Sequence, residues 1–166
     1  MAQKSVDEIT NNAIREGGIL TLLYFDLHGN SKATVRDIMV GFVGKLSKEK
    51  GVIYALGEID EPMVDGELFS TSAEVKLLVQ DFVTLVNLCS RYAPIGIEIL
   101  RPYELKLPLS QVQAALLNVS SVTSEFTSMY MEKMMTPEEK QEYGRKIRHR
   151  MEIGKKLMEK KNEGAK

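Results

Sequence analysis

The sequence predicts an α+β sandwich. Between Ile19 and Pro102 it reads strand, helix, strand, strand, helix, strand. That is the order of two interlocked βαβ units, which fold into one antiparallel sheet with both helices on one face. Two local signals support the order. Ile19 to Leu27 is apolar on both parities, as a strand buried on both faces must be. Val35, Ile38, Met39, Phe42, Val43 and Leu46 recur at helical spacing directly behind it.

The chain has 166 residues, 43% of them hydrophobic and 27% charged, enough for a folded core and an extension. The net charge of −1 gives no global field to draw it onto nucleic acid or an anionic membrane. The charge is divided, however: residues 1–137 carry 12 Lys and Arg against 17 Asp and Glu, residues 138–166 carry 10 against 6. The tail is basic and the body acidic. One cysteine, Cys89, excludes an intrachain disulfide. Met1-Ala2-Gln3-Lys4-Ser5 lacks the apolar core of a signal peptide, and no apolar run reaches the ~20 residues of a membrane span. A cytoplasmic protein is expected, which sets aside the sequon at Asn118-Val119-Ser120.

Ser5-Val6-Asp7-Glu8 has the form of a capping box. The short helix behind it, stopped by Gly17-Gly18, offers Val6, Ile9, Ala13 and Ile14 to a core, so residues 1–18 form an arm or lid. The first strand runs from Ile19 to Leu27, and His28-Gly29-Asn30-Ser31 breaks it. Asn30, Ser31 or Thr34 caps the next helix, which Gly51 ends. Gly41 and Gly44 inside it cost about 1 kcal/mol each relative to Ala; close packing on the sheet would explain them. Val52 to Ile59 is the second strand, with Pro62 and Asp65-Gly66 turning into the third at Glu67 to Thr71. Thr71-Ser72-Ala73-Glu74 reads as another capping box, opening a helix through Val75, Leu78, Val79, Phe82, Leu85, Val86 and Cys89. Ile95 to Arg101 is the fourth strand. Tyr103 to Leu107 alternates and could add an edge strand. Pro108 opens a long helix with a narrow stripe of Leu109, Val112, Leu116, Val119, Val122 or Thr123, Phe126, and Met129 or Tyr130. Thr136-Pro137-Glu138-Glu139 opens the last helix.

These elements make residues 19–107 a ferredoxin-like βαββαβ sandwich, preceded by the arm and followed, over 108–166, by a helical hairpin with a frayed basic tail. Both helices cover one face of such a sheet. The other face would expose Leu20, Leu22 and Tyr24, or their opposite-parity partners, an apolar patch of a kind monomers rarely leave bare. Either the C-terminal helices fold back over it or a second chain packs there; self-association is expected, with Leu116, Val119 and Phe126 of the long helix contributing to a homo-oligomer interface.

The turn after the first strand holds Asp26, His28, Gly29 and Asn30. Asp26-Leu27-His28-Gly29, followed by a helix, resembles the ACT family of small-ligand regulatory modules, which share the βαββαβ order. The resemblance covers Ile19 to Pro102 and lacks the usual proline before the glycine. It implies an amino-acid-like ligand bordered by Asp26 and Gly29 at a subunit interface, in an oligomeric, non-enzymatic module. A polar turn with a helix cap is the plainer interpretation of the same residues.

No catalytic residues, metal ligands or cofactor motif emerge. Asp26 and His28 have no nucleophile beside them, and the other histidine, His149, lies in the tail. Cys89 sits on an apolar helix face, where an inert thiol is expected. Glu58, Asp60, Glu61, Asp65 and Glu67 cluster at the hairpin, but not at the spacing of a calcium loop. The alternative function is RNA binding. Tyr24 and Phe25 on the first strand, with Phe69 on the third, would stack bases, and Arg145, Lys146, Arg148 and Arg150 would supply charge. The acidic body works against phosphate, and the basic helix is also accounted for by i,i+4 pairs such as Glu152–Lys156.

Overall fold

The computed structural model describes residues 5–163, and the side chains of 5–150, 152 and 153. The expected Glu152–Lys156 pair and the chain end from residue 164 lie outside the described residues. The protein is α+β; the described residues form five helices and a five-stranded antiparallel sheet. The elements are α1 (Val6–Arg15), β1 (Ile19–Gly29), α2 (Lys32–Leu46), β2 (Val52–Ile59), β3 (Met63–Asp65), β4 (Leu68–Val79), α3 (Phe82–Tyr92), β5 (Gly96–Arg101), α4 (Leu109–Met134) and α5 (Pro137–Glu163). Tyr103 to Leu107 forms no strand. The chain divides into two compact units inside α4, between Val122 and Thr123.

The sheet order is β2-β4-β1-β5, with β3 also paired to β4. β1 is central. It pairs with β4 along its whole length, from Ile19 opposite Val79 to Gly29 opposite Phe69. The odd-numbered residues of both strands face the helices. Ile19, Leu23, Phe25, Ala73, Val75, Leu77 and Val79 join Met39 and Leu46 of α2 and Leu85 and Leu88 of α3 in one core. β3 continues the line of β2 after Pro62. Four steps from Ile59 to Met63 match three from Ala73 to Ser70, the one-residue excess of a bulge.

The largest departure from the sequence expectation is at Thr71 to Val79. Thr71-Ser72-Ala73-Glu74 does not cap a helix; β4 runs through it to Val79, and α3 begins only at Phe82. Thr71, Ala73, Val75 and Leu77 are buried while Ser72, Glu74 and Lys76 are exposed, a period of two. The helix cap is Asp81, whose carboxylate accepts the Thr84 N–H at 2.7 Å. β1 likewise extends two residues further than expected, to Gly29, and Ser31 caps α2. Helix α2 ends at Leu46, before Gly51. Gly51 instead supplies a left-handed turn (φ +88°) whose carbonyl accepts the Gln80 N–H. Close packing does not explain Gly41 and Gly44, because a methyl at either would meet open space. The sheet–helix approach occurs at Gly57 of β2, where a Cβ would lie 2.7 Å from Val43 Cγ1.

The even face of the sheet is not left bare at its Leu20 end. Ser5 and Glu8 form the expected capping box, and α1 lays Ala13, Ile9 and Ile14 over Leu20, Leu78, Tyr54 and Leu100. Leu20 is consequently buried. The Thr10 hydroxyl and the Tyr54 phenol hydrogen-bond at 3.0 Å, fixing the arm to β2. In the second unit, Thr136 and Glu139 close a second capping box at the start of α5.

Candidate functional site

The residues expected at the end of β1 do not converge on one point. Asp26 and His28 lie on the even face. His28 Nδ1 is 3.8 Å from Asp26 Oδ2, and its Nε2 is 3.4 Å from Asp65 Oδ2 of β3. All three side chains are about half exposed, so the pairs contribute little to stability. Gly29 faces α2, where a Cβ would sit 2.7 Å from Val35 Cγ1. Asn30 lies exposed in the bend before α2. Among the described residues, no group of three or more His, Cys, Asp or Glu is placed to hold a metal.

Beyond α1 the even face carries two cross-strand rows. One runs Leu56, Lys76, Leu22, Glu98; the next runs Glu58, Glu74, Tyr24, Gly96. Leu22 and Tyr24 are half-buried. The Tyr24 phenol is held above its ordinary range by desolvation and by the Glu74 and Glu98 carboxylates. Glu58 stands directly opposite Glu74, a like-charge pairing that weakens a sheet. Phe69, opposite Gly29, falls on the helix side, so the aromatic residues of the RNA reading are split between the two faces. Arg145, Lys146, Arg148 and Arg150 are exposed on α5, and Lys146 bonds Glu142 at 3.0 Å, drawing the Glu142 carboxyl below its usual range.

The best-formed apolar site was not apparent from the sequence. It is a cavity of about 140 Å³ on the helix side of β1, lined by Phe25, Asp26, Leu27, Ile38, Met39, Phe42, Tyr92 and Ala93. Its rings pack edge-to-face: Phe25 on Phe42 at 4.7 Å, and Phe42 on Tyr92 at 5.5 Å. The Tyr92 hydroxyl donates to the Glu49 carboxylate. Burial, with this acceptor beside it, pushes the phenol up to about 12. Ala93 ends α3 in the left-handed conformation (φ 46°, ψ 59°), which costs a non-glycine residue about 1 kcal/mol. No spacing rule reveals this cavity, because three elements far apart in sequence form it. A larger depression of about 340 Å³ along α3 is lined by Glu49, Lys50, Asp81 and Arg91 among others; its mixed charges favour no ligand class.

Leu116, Val119 and Phe126 are exposed on α4. The side of that helix buried within the first unit is centred on Ala115 instead. Ile95, Ile97 and Ile99 are exposed at the edge formed by β5. No helix among the described residues is long and apolar enough to cross a membrane.

Comparison with known proteins finds no matching curated protein and no matching solved structure. A family model, that of the MJ0538 family, matches residues 20–149. That span covers most of the chain, from the central strand into α5, and so the protein is a member of the MJ0538 family.

Proposed function

We propose that this protein is a non-enzymatic, self-associating module of the cytoplasm. In this reading it is built on a ferredoxin-like sandwich and holds a ligand with a small apolar group at the end of β1. The fold assignment is supported by the strand order: the four long strands lie second, third, first, fourth, all neighbours antiparallel. The arm over residues 1–18, the sandwich over 19–107 and the helical extension over 108–166 are kept as its parts.

One observation carries the self-association: the apolar surface of α4. Leu109, Leu116, Leu117, Phe126, Met129 and Tyr130 each expose 59–72% of their surface. At roughly 200 Å² for a large side chain, Leu109, Leu116 and Leu117 leave about 400 Å² exposed in the first unit, and Phe126, Met129 and Tyr130 leave about as much in the second. Exposed apolar surface of a few hundred Å² is a recurrent mark of a contact with a partner. The ligand half rests on the cavity beside Phe42 and Tyr92. Its volume suits one side-chain-sized group and is too small for a nucleotide or cofactor. The resemblance to ACT modules adds that the ligand lies close to a subunit contact. RNA binding has less support, since carboxylates flank Tyr24 on the open face.

Light scattering coupled to size-exclusion chromatography tests the assembly. The wild-type chain is expected at a multiple of 18.7 kDa, and Leu116→Glu with Phe126→Glu at the single-chain mass. Wild type and variant eluting alike as monomers would contradict the reading.

A further inference from the structure

We propose that the cavity at the end of β1 is half of a peptide-binding slot. An extended peptide adds as a short strand to the free edge of β1 and places one large apolar side chain in the cavity, against Phe42 and Tyr92. The inference rests on reading that cavity as a ligand site, and it names the ligand class.

The free edge comes from the sheet register. β4 pairs with β1 through Gly29, but β5 pairs only from Leu20 to Tyr24. From Phe25 to Gly29, β1 has a strand on one side alone. The Tyr24 carbonyl accepts the Ile95 N–H at 2.8 Å, so Tyr24 turns its backbone groups toward the β5 side. These directions alternate along an extended strand. Asp26 and His28 therefore turn their N–H and C=O the same way, and among the described residues no backbone partner meets them there. Unpaired groups on a strand edge are a template for another chain, and main-chain bonds to such an edge are a general mode of peptide capture.

The cavity lies on the helix side of this edge. Phe25 and Leu27 turn their side chains toward the helices, whereas the Asp26 side chain turns to the even face. Asp26 thus contributes main chain to the cavity wall. A peptide residue opposite Leu27 would direct its own side chain into the cavity. An apolar cavity of about this size accepts a single benzene ring, hence a Leu, Ile or Phe side chain.

Charge sets the flanking positions. Peptide residues on either side of the apolar one project onto the even face, beside Asp26 and, around His28, Asp65. Basic residues suit them. The slot therefore selects a basic–apolar–basic segment in extended form.

The test uses the full chain and an end-blocked, fluorescein-labelled pentapeptide, Thr-Lys-Leu-Lys-Thr, followed by fluorescence anisotropy. The lysine amides would face β1 and the leucine amide would face away. N-methylation of both lysines is expected to weaken binding about tenfold or more, through loss of two main-chain hydrogen bonds. N-methylation of the leucine leaves binding nearly unchanged. Asp26→Lys, at an exposed position, is expected to reverse the preference toward Thr-Glu-Leu-Glu-Thr. Equal binding of the parent and lysine-methylated peptides would overturn strand addition. Binding of N-acetyl-leucinamide but not of the pentapeptide would also overturn it, while leaving the cavity as a ligand site. Failure of both probes to bind would overturn the cavity reading as well.

Discussion

Replacing Gly18 with alanine tests how the arm is joined to the sheet. Gly18 lies between α1 and β1, and its N–H bonds the Ala13 carbonyl at 2.7 Å. A Cβ there would stand 2.7 Å from the Ala13 oxygen, 2.9 Å from the Val79 oxygen and 3.0 Å from the Ala13 carbon. All three are main-chain atoms, so no side chain can rotate away. Relief requires the end of α1 to lift from the β1–β4 pair, loosening the cluster of Ala13, Leu20 and Leu78. Overpacking of this kind costs about 1–3 kcal/mol. Gly41→Ala is the matched control, because it meets nothing within 4 Å inside a helix and should stabilise by about 0.5–1 kcal/mol. With a urea slope of about 1–3 kcal/mol/M, the two variants should separate by roughly 0.5–4 M in unfolding midpoint. Far-UV circular dichroism against urea gives both midpoints. A Gly18→Ala midpoint at or above that of wild type would refute the account of α1 docking.

Further predictions concern individual side chains. Absorbance titration of the six tyrosines should show Tyr92 ionising at about 12, with Tyr24 also late, and Tyr92→Phe should remove the latest step. Because the folded state raises the Tyr92 value above the ordinary 10, its contribution to stability is complete below pH 10 and is lost as the pH rises toward 12. Asp81→Ala removes the cap of α3 and should cost about 1 kcal/mol in chemical denaturation; an unchanged midpoint would argue against the cap. Thr21→Val deletes the hydroxyl that donates to the Glu98 carbonyl at 2.7 Å in a fully buried site. It should cost about 1 kcal/mol and loosen β5, seen as faster hydrogen exchange across Gly96–Arg101.

Much of the fold was legible in the sequence because the signals were local. Ser5 and Glu8, and Thr136 with Glu139, announced the helix starts they form. The doubly apolar Ile19–Leu27 announced a central strand. The error at Thr71–Glu74 has a physical source. Leu77, Leu78 and Val79 are consecutive, since β4 buries Leu77 and Val79 under the helices and Leu78 under α1. That run blurs the alternation, and Val75, Leu78, Val79 and Phe82 happen to fit helical spacing. No glycine or proline marks the change of element; only Asp81 does. That the arm covers the Leu20 end of the outer face was not legible, because the docking of α1 depends on tertiary contact. Of the candidate site, the sequence placed its candidate residues, from Asp26 on, at the strand end that also borders the cavity. It could not reveal the cavity, which depends on Phe25, Phe42 and Tyr92 meeting across three elements, nor the free edge, which depends on where β5 stops.

The most direct test of the central claim is native mass spectrometry of the full chain at micromolar concentration. The account predicts an assembly at a multiple of 18.7 kDa that falls to single chains when Leu116 and Phe126 are both replaced by glutamate. A single-chain mass for wild type across the concentration range would contradict it, leaving the exposed apolar residues of α4 without the role assigned to them.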